Sequence, residues 1–173
     1  MLHLIDRADP EAPVHDTLTL PFEQRQKSRQ RVTLASGREA GILLTPGTRL
    51  HDGDVLRAES GERVRVCAAI EDLSTARSAD ALQLARASYH LGNRHVPVQI
   101  GAGWVRYAHD HVLDDMLRQM GLPVTVESAP FEPEAGAYAG GHRHGHAHEH
   151  APDESAHGHD HAHDHGHGHG HSH

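Results

Sequence analysis

A single cysteine, Cys67, stands among 173 residues. One thiol cannot close an intramolecular disulfide, which excludes a disulfide-stapled secreted scaffold, and the lack of any C-x-x-C pair argues against a thiolate zinc or copper(I) site. Aromatic residues make up 3% of the chain, so its core must be aliphatic. No apolar run approaches the ~20 residues that a membrane-spanning helix needs. The opening MLHLIDRADPEAP puts acids and prolines where a secretory signal requires an apolar stretch, so a cytoplasmic protein is expected. A formal net charge of −8 offers no basic footprint for nucleic acid or for an anionic membrane surface. There is no G-x-x-x-x-G-K-[ST] loop, which excludes a nucleotide-hydrolysing metal insertase. Gly101-Ala102-Gly103 reads as a hairpin turn with no helix behind it to cradle phosphate.

What is present falls into three parts, expected at residues 1–70, 71–140 and 141–173. The first carries short apolar alternations punctuated by turns: Leu18 and Leu20 before Pro21, Val32 and Leu34 before Ser36-Gly37, Ile42 to Leu44 before Pro46-Gly47, and Val64, Val66 and Ala68. This spacing predicts a small antiparallel β domain. The second part predicts the order β-α-β-β-α-β, the ferredoxin-like split motif of an α+β fold. It comprises a weak strand within Glu71 to Arg77 and a helix capped by Ser78, with Leu82, Ala85, Tyr89 and the neighbouring Leu84 and Leu91 as its apolar face and Gly92-Asn93 as a left-handed stop. A hairpin of Val96 to Ile100 with Trp104 to Tyr107 follows. Then come a helix bearing Val112, Leu113, Met116, Leu117 and Met120, closed by Gly121, and a strand at Val124 to Val126.

The third part is a histidine tail. Fourteen of the 21 histidines lie here: His142, His144, His146, His148, His150, His157, His159, His161, His163, His165, His167, His169, His171 and His173. With glycine between them and nothing apolar to bury, they cannot offset the entropy of ordering, and a disordered segment is expected without metal. Neutral imidazole suits Ni²⁺, Cu²⁺ and Zn²⁺, so a flexible string of imidazoles is a metal ligand. A purification tag is normally an unbroken run, whereas this segment includes acids and a proline.

Two candidates precede the tail. His109 and His111 in AHDHVLDDML are two residues apart at a junction from strand to helix, and on extended backbone both would point to one side. They read either as a two-imidazole metal site or as two solvated histidines. His95, in YHLGNRHVP, sits in a turn, where a lone histidine is more often structural. Cys67 alternates with Val66 and Ala68, a core or half-buried pattern with no nucleophile's partner. The helical ligands of a metal phosphohydrolase are missing.

VTLASGREAGILLTPGTRLHDGDVL, YHLGNRHVPVQI, RYAHDHVLDDMLRQMGL, PFEPEAGAY and the His-rich end together resemble the urease accessory nickel metallochaperone family, UreE. The resemblance implies an N-terminal β domain able to bind a partner peptide, a ferredoxin-like metal-binding domain, and homodimerisation through that domain. It also implies that His95 meets its symmetry mate in an interfacial nickel site, that His109 and His111 form an auxiliary one, and that the tail stores metal. The implied partners are the urease apoprotein and its accessory proteins, including their GTPase. Donation of Ni²⁺ without catalysis is the expected function, with Cu²⁺ or Zn²⁺ binding in vitro; metal storage or detoxification is the alternative, since it would need only the tail.

Overall fold

The computed structural model describes residues 1–136, and the histidine tail, with its expected disorder, lies outside them. Ten strands and three helices follow one another among the described residues. The first six strands, β1 (Leu2–Ala8), β2 (Asp16–Leu20), β3 (Arg29–Thr33), β4 (Glu39–Leu43), β5 (Val55–Ala58) and β6 (Arg63–Ala68), form one sheet in the order β2-β6-β5-β1-β4-β3. Every second residue faces inward, as a pleat requires, so Leu18, Leu20, Ile42, Val64 and Val66 close on Leu4, Leu56 and Leu50 in an aliphatic core. Each such side chain contributes about 1.5–3 kcal/mol by leaving water.

This sheet is mixed, not purely antiparallel as expected. β1 runs parallel to β4 and β2 parallel to β6, while the β3/β4, β1/β5 and β5/β6 pairs are antiparallel. The two parallel pairs join strands distant in sequence, which local turn signals cannot reveal.

The remaining elements are β7 (Ile70–Arg77), α2 (Ala81–Gly92), β8 (Gln99–Gly101), β9 (Trp104–Ala108), α3 (His111–Gln119) and β10 (Val124–Pro130), after the short α1 (Phe22–Arg25) of the first part. They build a four-stranded antiparallel sheet in the order β10-β7-β9-β8. Ala76, Val105, Tyr107 and Val124 share one sheet face, and Leu91, Ala87, Leu113, Leu117 and Leu122 from the helices and their ends pack in the same core. On the other face Arg106 donates to Thr75 at 3.0 Å and pairs with Glu127 at 2.6 Å. Gly101 lets the hairpin close: a Cβ there would stand 2.2 Å from the Trp104 ring.

Three local expectations are corrected. The cap of α2 is Asp80, which accepts from the Leu82 amide at 2.8 Å; Ser78 instead accepts from the Asp80 amide. Of the expected face of α2, Leu84 and Leu91 are covered, together with Ala87, whereas Leu82 and Tyr89 are exposed, and so is Val112 on α3. Neither Gly92 nor Asn93 adopts a left-handed backbone; the residue with positive φ is His95.

The chain after β10 is held against the first sheet. Arg25, 1% exposed, donates to the carbonyls of Leu20 and Phe131 and pairs with Glu132, while the Phe22 and Phe131 rings meet edge to face at 5.3 Å. A buried guanidinium without such partners would be strongly destabilising.

Candidate metal centre

His95 ends the turn that stops α2. Its amide donates to Gly92 at 2.9 Å and the Val96 amide to Leu91 at 3.3 Å, with Val96 and Leu91 in one apolar cluster. This is a Schellman stop, in which the residue at the reversal must be left-handed and is ordinarily glycine. His95 takes that position with φ 57°. An L-residue there costs roughly 1–2 kcal/mol, less for histidine than for a β-branched residue. The imidazole is exposed on the turn. Pro97 then holds Val96 extended and delays β8 to Gln99, later than the hairpin read from Val96.

His109 follows β9 and His111 opens α3, with Asp110 between them. Asp110 is extended (φ −149°, ψ 117°) and caps α3, accepting from the Val112 and Leu113 amides at 2.8 and 3.2 Å. An extended residue is the geometry in which its two neighbours project to the same side. The His109 amide is tied to the Asp72 carbonyl at 3.1 Å, fixing its backbone to β7.

Behind His109 lies a polar cluster that sequence reading missed. His109 Nδ1 is 3.0 Å from Ser74 Oγ and 3.4 Å from Asp114 Oδ2. The buried Tyr107 hydroxyl donates to Asp114 Oδ1 at 2.8 Å, and Arg118 approaches Asp114 at 3.6 Å. Burial, followed by the hydrogen bond to Asp114, pushes the Tyr107 phenol well above its ordinary range, so it stays a protonated donor. Tyr107 therefore faces the core and is no ligand, although it shares a face with His109. The only advance signal for the cluster was the i, i+7 spacing of Tyr107 and Asp114 across a strand-to-helix turn.

Among the described residues, no three histidine, cysteine or carboxylate side chains gather closely enough to hold a metal ion. His95, His109 and His111 can offer imidazoles, but none belongs to a complete site within residues 1–136. The fourteen tail histidines lie outside the described residues. Among the described residues, no helix is long and apolar enough to cross a membrane.

Comparison with known proteins decides the family. The model of the UreE urease accessory protein N-terminal domain matches residues 1–69, and that of the C-terminal domain matches residues 71–173. The chain belongs to the UreE family. Relatives named urease accessory protein UreE include one from Alkalilimnicola ehrlichii, 63% identical over 140 residues, covering 81% of this chain and 86% of the relative. Another, from Escherichia coli O157:H7, is 55% identical over 140 residues, covering 80% and 91%. A third, from Pseudomonas putida strain W619, is 56% identical over 139 residues, covering 80% and 86%.

Proposed function

We propose that the protein is a nickel metallochaperone that carries Ni²⁺ to the urease apoprotein and its accessory proteins, including their GTPase, in the cytoplasm, and that it catalyses no reaction. The observation that carries this reading is the exposed His95 imidazole on a strained backbone position where glycine would serve the fold better. Strain of this kind persists where a side chain is needed for something other than folding. Membership of a family whose relatives are named urease accessory proteins supplies the acceptor.

One imidazole is a poor nickel ligand, and a two-fold axis would double it. We take the protein to be a homodimer that joins two His95 side chains at one interfacial ion, with further donors from the tails or water. The exposed stripe of Leu82, Ala85 and Tyr89 on α2, the helix that ends in His95, gives such a dimer an apolar surface to bury. The β-α-β-β-α-β order and the β10-β7-β9-β8 sheet support reading residues 71–140 as a ferredoxin-like metal-binding domain beside an N-terminal β domain at residues 1–70. His109 and His111 form the auxiliary site, and His142 through His173 the store. Imidazole also accepts Cu²⁺ and Zn²⁺ in vitro. Storage alone would need only the tail and would leave His95 strained for nothing.

Truncation after Tyr138 tests the division of labour. Nickel stoichiometry, measured by metal analysis after equilibrium dialysis, should fall several-fold while far-UV circular dichroism and the dimer persist. Imidazole loses its neutral form below a pKa of about 6.5, so the full chain should shed most tail-bound nickel between about pH 7.5 and 5.5. A truncated protein that binds no nickel would refute the chaperone reading in favour of storage.

A further inference from the structure

Asp114 is 2% exposed, yet no strand or helix of the fold requires a carboxylate there. It lies in the first turn of α3, four residues after the cap Asp110, and His109 immediately precedes that cap. These are the two positions that commonly hold an apolar pair, a staple that fixes the angle at which the chain enters a helix. Here the pair is polar. We propose that Asp114 is a positioning residue: it holds the His109 ring in the Nδ1–H tautomer, with Ser74 as a second anchor, so that the Nε2 lone pair is directed away from the core toward metal. The proposal rests on the role of His109 as an auxiliary nickel ligand.

Donor and acceptor capacity fixes the tautomer. A carboxylate only accepts hydrogen bonds, and Asp114 Oδ1 is already occupied by the Tyr107 hydroxyl at 2.8 Å. The remaining Oδ2 faces His109 Nδ1 at 3.4 Å. An unprotonated Nδ1 would set a lone pair against that oxygen, whereas a protonated one shares its hydrogen between Oδ2 and Ser74 Oγ, 3.0 Å away. Ser74 can donate or accept and so does not choose. Arg118 stands 3.6 Å from the same Oδ2, a donor on a second side of the acceptor. With Nδ1 committed inward and the side chain 42% exposed, the ring has Nε2 left for coordination. A carboxylate behind a metal-binding imidazole is a recurring arrangement, because it orients the ring and raises its basicity.

The experiment is a long-range ¹H–¹⁵N correlation spectrum of the full chain labelled at histidine ring nitrogens. It is recorded without metal at about pH 8, where imidazole is neutral, and the His109 signal is identified by its loss in His109→Gln. The wild-type ring should be the Nδ1–H tautomer. In Asp114→Asn the amide oxygen keeps the Tyr107 hydroxyl, which turns the amide NH₂ toward Nδ1, so the proton should move to Nε2. Titration with nickel chloride should then require about tenfold more metal to broaden the His109 signal. Ser74→Ala should leave the tautomer unchanged.

A wild-type Nε2–H ring, or an unchanged tautomer in a folded Asp114→Asn protein, would overturn the assignment. The wild-type spectrum decides even if that variant does not fold. The expected tautomers without nickel broadening at His109 would refute the auxiliary metal site while upholding the positioning role.

Discussion

The two long helices end in the same hydrogen-bonded turn, built from different residues. At the end of α3 the Gly121 amide donates to Arg118 at 2.9 Å and the Leu122 amide to Leu117 at 3.0 Å, with Gly121 at φ 85°. At the end of α2 the equivalent pair runs from His95 to Gly92 and from Val96 to Leu91, with His95 at φ 57°. Leu122 and Val96 each fold back onto the apolar cluster they share with the last turn of their own helix. Where only the fold is at stake, as at α3, the left-handed position is filled by the residue without a Cβ. At α2 the chain accepts the cost of an imidazole. The difference shows that the turn itself does not call for the imidazole of His95.

A branched side chain at the glycine should have the largest effect on the fold. Gly121→Val adds a Cβ 3.3 Å from Gln83 Nε2 at a left-handed backbone, and should cost about 2 kcal/mol or more in chemical denaturation. The converse change should help the fold. His95→Gly should gain about 0.5–1 kcal/mol, because relief of the left-handed strain outweighs the extra freedom that glycine gives the unfolded chain. His95→Ala keeps a Cβ in the same conformation and should change stability by less than about 0.5 kcal/mol. If His95→Gly proves destabilising, the imidazole makes a structural contact and the comparison fails.

The smallest effect is an acid control. Glu127 lies on the sheet face opposite both helices, and its pKa is lowered first by the Thr75 hydroxyl and then by Arg106. A carboxyl whose folded pKa is depressed stabilises the protein above its unfolded pKa and loses that contribution as pH falls through the folded value. Below about pH 4.5 the apparent stability should therefore decline, and Glu127→Gln should remove part of the decline. The decrement should be the same in the wild-type chain and in the His95→Gly variant, since sites without shared partners add.

The β-α-β-β-α-β order from β7 to β10 is legible in the sequence, whereas β1, α1 and β5 have no counterpart among the expected elements. On α2, Leu82, Ala85 and Tyr89 form one stripe at helical spacing, and Leu84, Ala87 and Leu91 form another. Periodicity finds both stripes but not which one is covered, and each carries one alanine, so size does not decide between them. The parallel pairing of β1 with β4 depends on contacts far apart in sequence. His95 comes into view as a metal ligand through the family resemblance, because a lone histidine in a turn carries no spacing signal of its own, whereas the two-residue spacing of His109 and His111 leaves a metal site and two solvated histidines both open. Asp114 reads in sequence as one more acid in a helix, since its burial depends on Tyr107 reaching it across the β9 turn.

On the proposed function, His95 stands at the end of α2 for nickel and against the interest of the fold. The most direct measurement is nickel stoichiometry per dimer, by equilibrium dialysis at pH 7.5, of protein truncated after Tyr138 with His95 intact or changed to glycine, alongside the melting temperature of each without metal. His95→Gly should lose about one ion per dimer and melt higher by a few degrees. Undiminished nickel binding by the glycine variant would contradict the proposed function.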